Sequence, residues 1–188
     1  MRSRERWLHE GLETLAEDGA AALTIEALSV RLGLSKGSFY HHFKGMADYR
    51  RALLEYFEER ENEEFIVRAD AAALPPGEAR LRGVVDDVMR AEGGRPRLEH
   101  AVRTWAADDA EAREYLDRID RDRVDFAQTQ FEAMGLEGDA AADFAQIAHL
   151  MSIGARATVP PQTPAQLRPL WDRLIRAAAA CAATDAGS

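Results

Sequence analysis

Between Thr24 and Phe43 the sequence TIEALSVRLGLSKGSFYHHF holds two helical repeats joined by a glycine. Each repeat is too short to be stable as an isolated helix. Ile25, Leu28 and Leu32 recur at helical spacing before Gly33, and Phe39 and Phe43 stand one turn apart after it. Thr24 and Ser35 open the two repeats, where a hydroxyl can accept a backbone N–H that a helix start leaves unpaired. Two amphipathic segments of this size must bury each other against a third, which predicts a helix-turn-helix. The side of the second repeat away from its phenylalanines carries Gly37, Ser38 and His41, with Tyr40 and His42 at the edges. Such a small, polar face suits contact with a groove better than burial.

The rest of the chain reads as helices. Trp7, Leu8, Leu12 and Leu15 share one side of a helix over about residues 4–18, with Ser3 as its cap and Gly19 as its left-handed stop. A long helix begins after Gly45 with Tyr49, Leu53, Tyr56 and Phe57, passes a charged stretch from Glu58 to Glu64, and breaks at Leu74, Pro75, Pro76 and Gly77. Leu81, Val84, Val85 and Val88 mark the next helix, stopped by Gly93 and Gly94, and Leu98 to Ala106 the one after Pro96. A longer helix runs from Ala112 to Met134 and closes at Gly135. From Asp139 a further helix becomes apolar nearly all round at Leu150 to Gly154 before Pro160 and Pro161. The last helix carries Leu167 to Cys181, with Thr163, Pro164 and Gln166 offering an N-terminal signal, while Pro169 favours a regular start only near that proline; the tail from Thr184 is expected to fray. No segment shows strand-like alternation, so the fold class is all-α: a three-helix headpiece over residues 1–48 and a larger helical domain over residues 49–188.

The formal net charge of −9 argues against a polyanionic partner unless cations are gathered locally. Between Ala22 and Arg50 they are: Arg31, Lys36, Lys44 and Arg50 outnumber Glu26 and Asp48. The single cysteine, Cys181, excludes an internal disulfide and fits a reducing compartment. With no apolar run of membrane-spanning length and no signal-peptide pattern, the chain is expected to be cytoplasmic. No phosphate loop, nucleophile motif, catalytic pair or cofactor motif is present, which points to a non-enzyme without cofactor. His41 and His42 diverge by about 100° as neighbours on a helix and have no third ligand nearby, so no metal site is expected.

The stretch from Trp7 to Tyr49, above all LTIEALSVRLGLSKGSFYHHF, resembles the DNA-binding headpiece of the TetR family of transcriptional regulators. The resemblance rests on order, spacing and residue type together: a glycine before a short loop, Leu23-Thr24 opening the second helix, Gly33 to Gly37 at the turn, and Tyr40, His42 and Phe43 closing the third. It implies that Thr24 caps a helix whose first amides meet a phosphate, and that Lys36 and Ser38 reach base edges with Gly37 allowing close approach. It further implies that Tyr40 and His41 contact the phosphate backbone, with Ser35 at the turn and Lys44 beyond the helix completing the DNA-binding set. Where the family commonly opens its fourth helix with lysine, this chain has Met46, with Lys44 two residues earlier.

The family plan also implies a C-terminal domain that binds an unknown small-molecule effector and forms a homodimer through its last two helices. Val85, Met89, Val102, Trp105 and Phe126 are the candidate effector-pocket residues, with ordinary core as the alternative for each, and Arg103 and Gln130 are polar candidates. Trp171 and the small-residue run Ala177 to Ala180 fit a close-packed dimer interface of four helices. The expected function is sequence-specific binding of double-stranded operator DNA, most simply as a repressor released by the effector. A helical ligand carrier or enzyme with a disused headpiece is the alternative, and a helical adaptor a third.

Overall fold

The computed structural model describes residues 3–71, 74–90 and 94–185; side chains of residues 61–71, 87, 88, 94–96 and 185 are outside that description. Among the described residues the chain forms nine α-helices and one 3-10 turn, and no strand. They are α1 (Ser3–Asp18), the 3-10 turn (Ala20–Ala22), α2 (Ile25–Leu32), α3 (Lys36–His42), α4 (Met46–Ala71), α5 (Glu78–Arg90), α6 (Gly94–Asp108), α7 (Ala110–Ala133), α8 (Gly138–Ala157) and α9 (Pro164–Asp185).

The chain divides into two compact units. One comprises Met1–Asn62 and Glu92–Arg118, the other Glu63–Ala91 and Ile119–Ser188, so α4 and α7 each contribute to both. In the first unit α6 packs along α1, α2 rests on α1 and α3, and the 3-10 turn touches α1 and α6. Trp7, Leu8, Leu15, Leu28, Phe39, Tyr49, Leu53 and Val102 are its most deeply buried side chains among many. In the second unit Leu81, Phe131, Leu136 and Ile175 pack with the small residues Ala141, Ala145, Ala148, Ala178 and Ala182. Alanines at the α8 and α9 contact keep side chains short there, and the two helices lie against each other.

Helix starts and stops follow local chemistry. Asp109 caps α7 by accepting from the Ala112 N–H at 2.9 Å. Thr163 and Gln166 form a reciprocal capping box on α9: Gln166 Oε1 accepts from the Thr163 N–H at 2.8 Å, and Thr163 Oγ1 from the Gln166 N–H at 3.4 Å. With Pro164 first in the helix, this box starts α9 where Thr163, Pro164 and Gln166 signal it, earlier than Pro169 suggests; Pro169 sits inside the helix. The box satisfies the helix start so that Pro169 forfeits only one later bond. Gly94 likewise opens α6 instead of stopping α5, and Gly93 lies outside the described residues. Pro96 is thereby in a first helical turn, where its missing N–H has no intrahelical partner to lose. Ser3 belongs to α1 itself, and Gly19 adopts φ 80 with ψ 174 rather than the left-handed cap geometry. The frayed tail expected beyond Asp185 lies outside the described residues, whereas Thr184 is still helical.

Two further tertiary devices fix side chains. In the first unit α4 and α7 meet through Arg51 Nε to Glu111 Oε1 at 2.6 Å, Tyr115 Oη to Glu55 Oε1 at 3.5 Å, and Arg118 donating twice to Glu58 at 2.8 and 2.9 Å. In the second unit the buried Gln130 accepts from the Gly77 N–H at 3.2 Å and donates to the Phe126 carbonyl at 3.3 Å. Gly77, at φ 94, turns the chain into α5 there. Gln130 is therefore committed to structure rather than placed to orient a ligand, and Arg103 is engaged with the buried Glu99 at 3.2 Å.

Candidate nucleic-acid interface

The second and third helices are set by the caps that their sequences provide. Thr24, with extended backbone, accepts from the Ala27 N–H at 3.2 Å, and Ser35 accepts from the Ser38 N–H at 3.2 Å. Between them Gly33 takes the left-handed conformation at φ 63, and the Leu34 N–H returns to the Ser29 carbonyl at 3.1 Å. This closed C-terminal turn leaves only three residues between the end of α2 and the start of α3.

Phe39 and Phe43 point inward and are buried. Phe39 lies 5.4 Å from the Trp7 ring and 5.4 Å from that of Tyr49, so α1, α3 and α4 share one aromatic cluster. Tyr49 is fixed further by donating from its hydroxyl to the Trp7 carbonyl at 2.8 Å, and burial raises its pKa well above the ordinary phenol value. Its hydroxyl occupies the space that a side chain on Gly11 would need: a Cβ built there meets Tyr49 Oη at 2.0 Å. Periodicity marks Tyr49 as inward-facing but gives no sign of the glycine it meets.

With the phenylalanines inside, the opposite face of α3 is left to solvent. Lys36, Gly37, Tyr40 and His41 are exposed, as are Thr24, Ser35 and Lys44, while Ser38 is half-buried. Tyr40 keeps 58% of its surface exposed, although its ring leans on the edge of Phe39 at 5.6 Å. Lys44 donates its backbone N–H to Asp48 Oδ2 at 2.9 Å, so its position before α4 is set while its side chain stays exposed. Met46 opens α4 half-buried. The His41 and His42 rings meet edge to face at 4.9 Å.

The electrostatics differ from a count along the chain. Arg31 does not face outward as a free cation: it bonds Glu10 at 2.5 Å, Glu17 at 2.6 Å and Asp18 at 3.2 Å, all on α1. Hydrogen bonds to Glu17 and then Glu10 push its pKa above the ordinary guanidinium value. Arg50 is half-buried, and its charge acts on Asp109 at the start of α7. Lys36 is paired with Glu26, in the first turn of α2. While the Lys44 side chain stays exposed, the positive charge expected from Arg31 and Lys36 is thus largely spent inside the protein. Side chains distant in sequence neutralise it, and α1 supplies three carboxylates that a count from Ala22 to Arg50 leaves out.

Residues 8–59 match the family of bacterial regulatory proteins designated tetR. That segment is what the chain shares with the tetR family. The tetR match spans α1 to the first half of α4, the segments just described. Over 51 residues the chain is 35% identical to the transcriptional regulator AcuR of Cereibacter sphaeroides, covering 27% of this chain and 23% of that protein. The chain thus matches less than a quarter of the curated relative's length. Fold similarity extends further. A TetR transcription regulator from Haloarcula marismortui superposes with a TM-score of 0.69 at 19% identity, covering 97% of each chain. A protein from Saccharomonospora viridis, solved in complex with choline, gives 0.69 at 15% identity, covering 92% of this chain and 95% of that one. At such identities the likeness is one of fold.

The effector candidates fall in separate units. Val102 and Trp105 are buried on α6, the helix that packs on α1. Val85 is buried and Met89 half-buried on α5, and Phe126 is half-buried on α7, all in the second unit. Glu26, counted in the sequence only as an opposing charge, and the α1 carboxylates are the residues of this site that the sequence did not assign to it. The signal for Glu26 was its position in the first turn of α2, which a short turn brings beside the start of α3.

Proposed function

We propose that this protein is a tetR-family, sequence-specific DNA-binding transcriptional regulator acting in the cytoplasm, and that it is a repressor released by a small molecule. The observation that carries the reading is the cap-fixed α3 whose buried Phe39 and Phe43 turn Lys36, Gly37, Tyr40 and His41 outward together. A helix held this way presents its N-terminal residues to base edges in a major groove, with neighbouring groups on phosphates. In this reading Lys36 and Ser38 read bases. Thr24, Ser35, Tyr40, His41 and Lys44 meet the backbone, and Gly37 admits it closely. The DNA-reading part ends near residue 48, and the remainder from residue 49 carries effector binding and dimerisation.

Dimerisation through α8 and α9 is supported by surface that one chain leaves open. Ile147 and Leu150 are 49% and 57% exposed on α8, and Leu170 is 41% exposed on α9. The near-continuous apolar end of α8 therefore has a side that its own chain does not cover, which suits a second copy. Two recognition helices about 34–36 Å apart would then address successive major grooves. Effector candidates are Val85, Met89 and Phe126 in one unit and Val102 and Trp105 in the other; ligand binding would act on the headpiece through α4.

The test is selection of bound fragments from random duplex DNA, followed by titration of the selected duplex at several salt concentrations. Lys36→Ala combined with Tyr40→Phe is expected to weaken binding by at least tenfold, with any change in the salt slope coming from the lost Lys36 charge, because the Tyr40 hydroxyl is neutral and releases no counterion. Binding as tight as wild type would overturn the assignment.

A further inference from the structure

Lys36, the first residue of α3, is held by Glu26 in the first turn of α2, and both side chains remain well exposed, at 56% and 69%. The hydrogen bond from Lys36 keeps the Glu26 carboxyl below its ordinary pKa. An exposed pair of this kind adds little to stability, because water and salt screen it. What it does control is where the Lys36 ammonium can go. Resting on the DNA-binding reading above, we propose that Glu26 is a specificity-determining residue, which holds Lys36 away from non-cognate DNA and yields it only to a base-edge acceptor.

The reasoning follows from competition for one ammonium. On a duplex of arbitrary sequence the protein is held by phosphates, and an ammonium already neutralised by a carboxylate adds nothing to counterion release. Freeing Lys36 there would also leave the Glu26 carboxylate unpaired beside a polyanion. At a guanine in register, O6 and N7 offer two acceptors in the groove, replacing the carboxylate with a partner that only that base supplies. The pair therefore subtracts from binding everywhere and is repaid only at the right sequence.

Glu26→Gln keeps the size of the side chain and removes the charge that holds Lys36. Binding is measured for wild type, Glu26→Gln, Lys36→Ala and the double variant. The probes are the duplex selected by wild type and a scrambled duplex of equal length and composition, across a salt series. For the scrambled duplex Glu26→Gln is expected to bind roughly threefold to eightfold more tightly near 0.1 M salt, with a slope steeper by about 0.9. Affinity for the selected duplex rises less, so the ratio between the two falls. In the Lys36→Ala background the same substitution is expected to leave the slope unchanged. An unchanged ratio, or an equal gain with and without Lys36, would overturn the proposal, the second outcome meaning that Glu26 acts only as a repelling charge. Failure of wild type to bind either duplex in a salt-dependent way would instead count against the DNA-binding reading. Thermal unfolding of all four proteins checks that these surface changes leave the fold intact.

Discussion

Gly11→Ala is the most direct probe of how the DNA-facing helix is held. Gly11 lies inside α1, where alanine ordinarily stabilises a helix by about 1 kcal/mol relative to glycine. Here the added methyl would stand 2.0 Å from Tyr49 Oη and 2.9 Å from Leu53 Cδ1, well inside ordinary contact at 3.4–4 Å. Tyr49 must move, and its bond to the Trp7 carbonyl is then lost with both groups still buried. Leaving a buried polar group unpaired costs about 1–3 kcal/mol, and forcing a methyl into a packed interior costs about 1–3 kcal/mol more. After the gain in helix propensity the expected net loss is about 3 kcal/mol. Urea unfolding followed by circular dichroism, at one fixed protein concentration, measures it. Tyr49→Phe alone should cost about 1 kcal/mol through the lost hydrogen bond. In the double variant the oxygen is gone, so the cost should fall short of the sum of the singles by at least about 1 kcal/mol. A Gly11→Ala protein as stable as wild type, or simple additivity with Tyr49→Phe, would refute the argument.

Two other expectations concern the start of α7 and the open face of α8. Asp109→Ala removes the α7 cap and should cost about 1 kcal/mol, whereas Asp109→Asn keeps a capping oxygen and should cost less. The Ala112 N–H, with smaller contributions from Trp105 and Arg50, holds the Asp109 carboxyl below its ordinary value. Its charge-dependent contribution is therefore full above about pH 4 and fades as pH falls through the lower folded-state value. Stability curves of wild type and Asp109→Asn measured against pH should converge below that point and separate above it; parallel curves would count against this cause. Replacing Ile147 and Leu150 together by arginine should convert a dimer to a monomer of unchanged helicity in sedimentation experiments. A variant sedimenting like wild type would remove that face from the interface.

The headpiece was largely legible because its signals are local. Thr24, Ser35 and Gly33 act within a few residues of themselves, and Phe39 and Phe43 declare their inward face through one-turn spacing. Pro169 misled for the same reason that it drew notice: its own penalty is local, but the capping box that starts α9 earlier outweighs it. The charge state of the site was not legible. Arg31 is neutralised by residues 13 to 21 positions away, and no periodicity marks such pairs. Gly11 left a faint trace, a glycine in a helix of a chain otherwise rich in alanine, but its reason lies in a hydroxyl on α4.

The α4 and α7 contacts pair 51 with 111, 55 with 115 and 58 with 118, a constant offset of 60 residues. A constant offset means that the two helices run parallel, like two rulers clamped edge to edge. Length changes in the loops between the helices leave the alignment untouched, since that stretch of chain has only to return from the far end of α4 to the start of α7. One residue inserted within either paired segment, between Arg51 and Glu58 or between Glu111 and Arg118, rotates everything beyond it by about 100°. Natural variation in length should therefore collect outside those two segments, and an engineered tag or sensor module belongs in a loop between helices rather than within either segment.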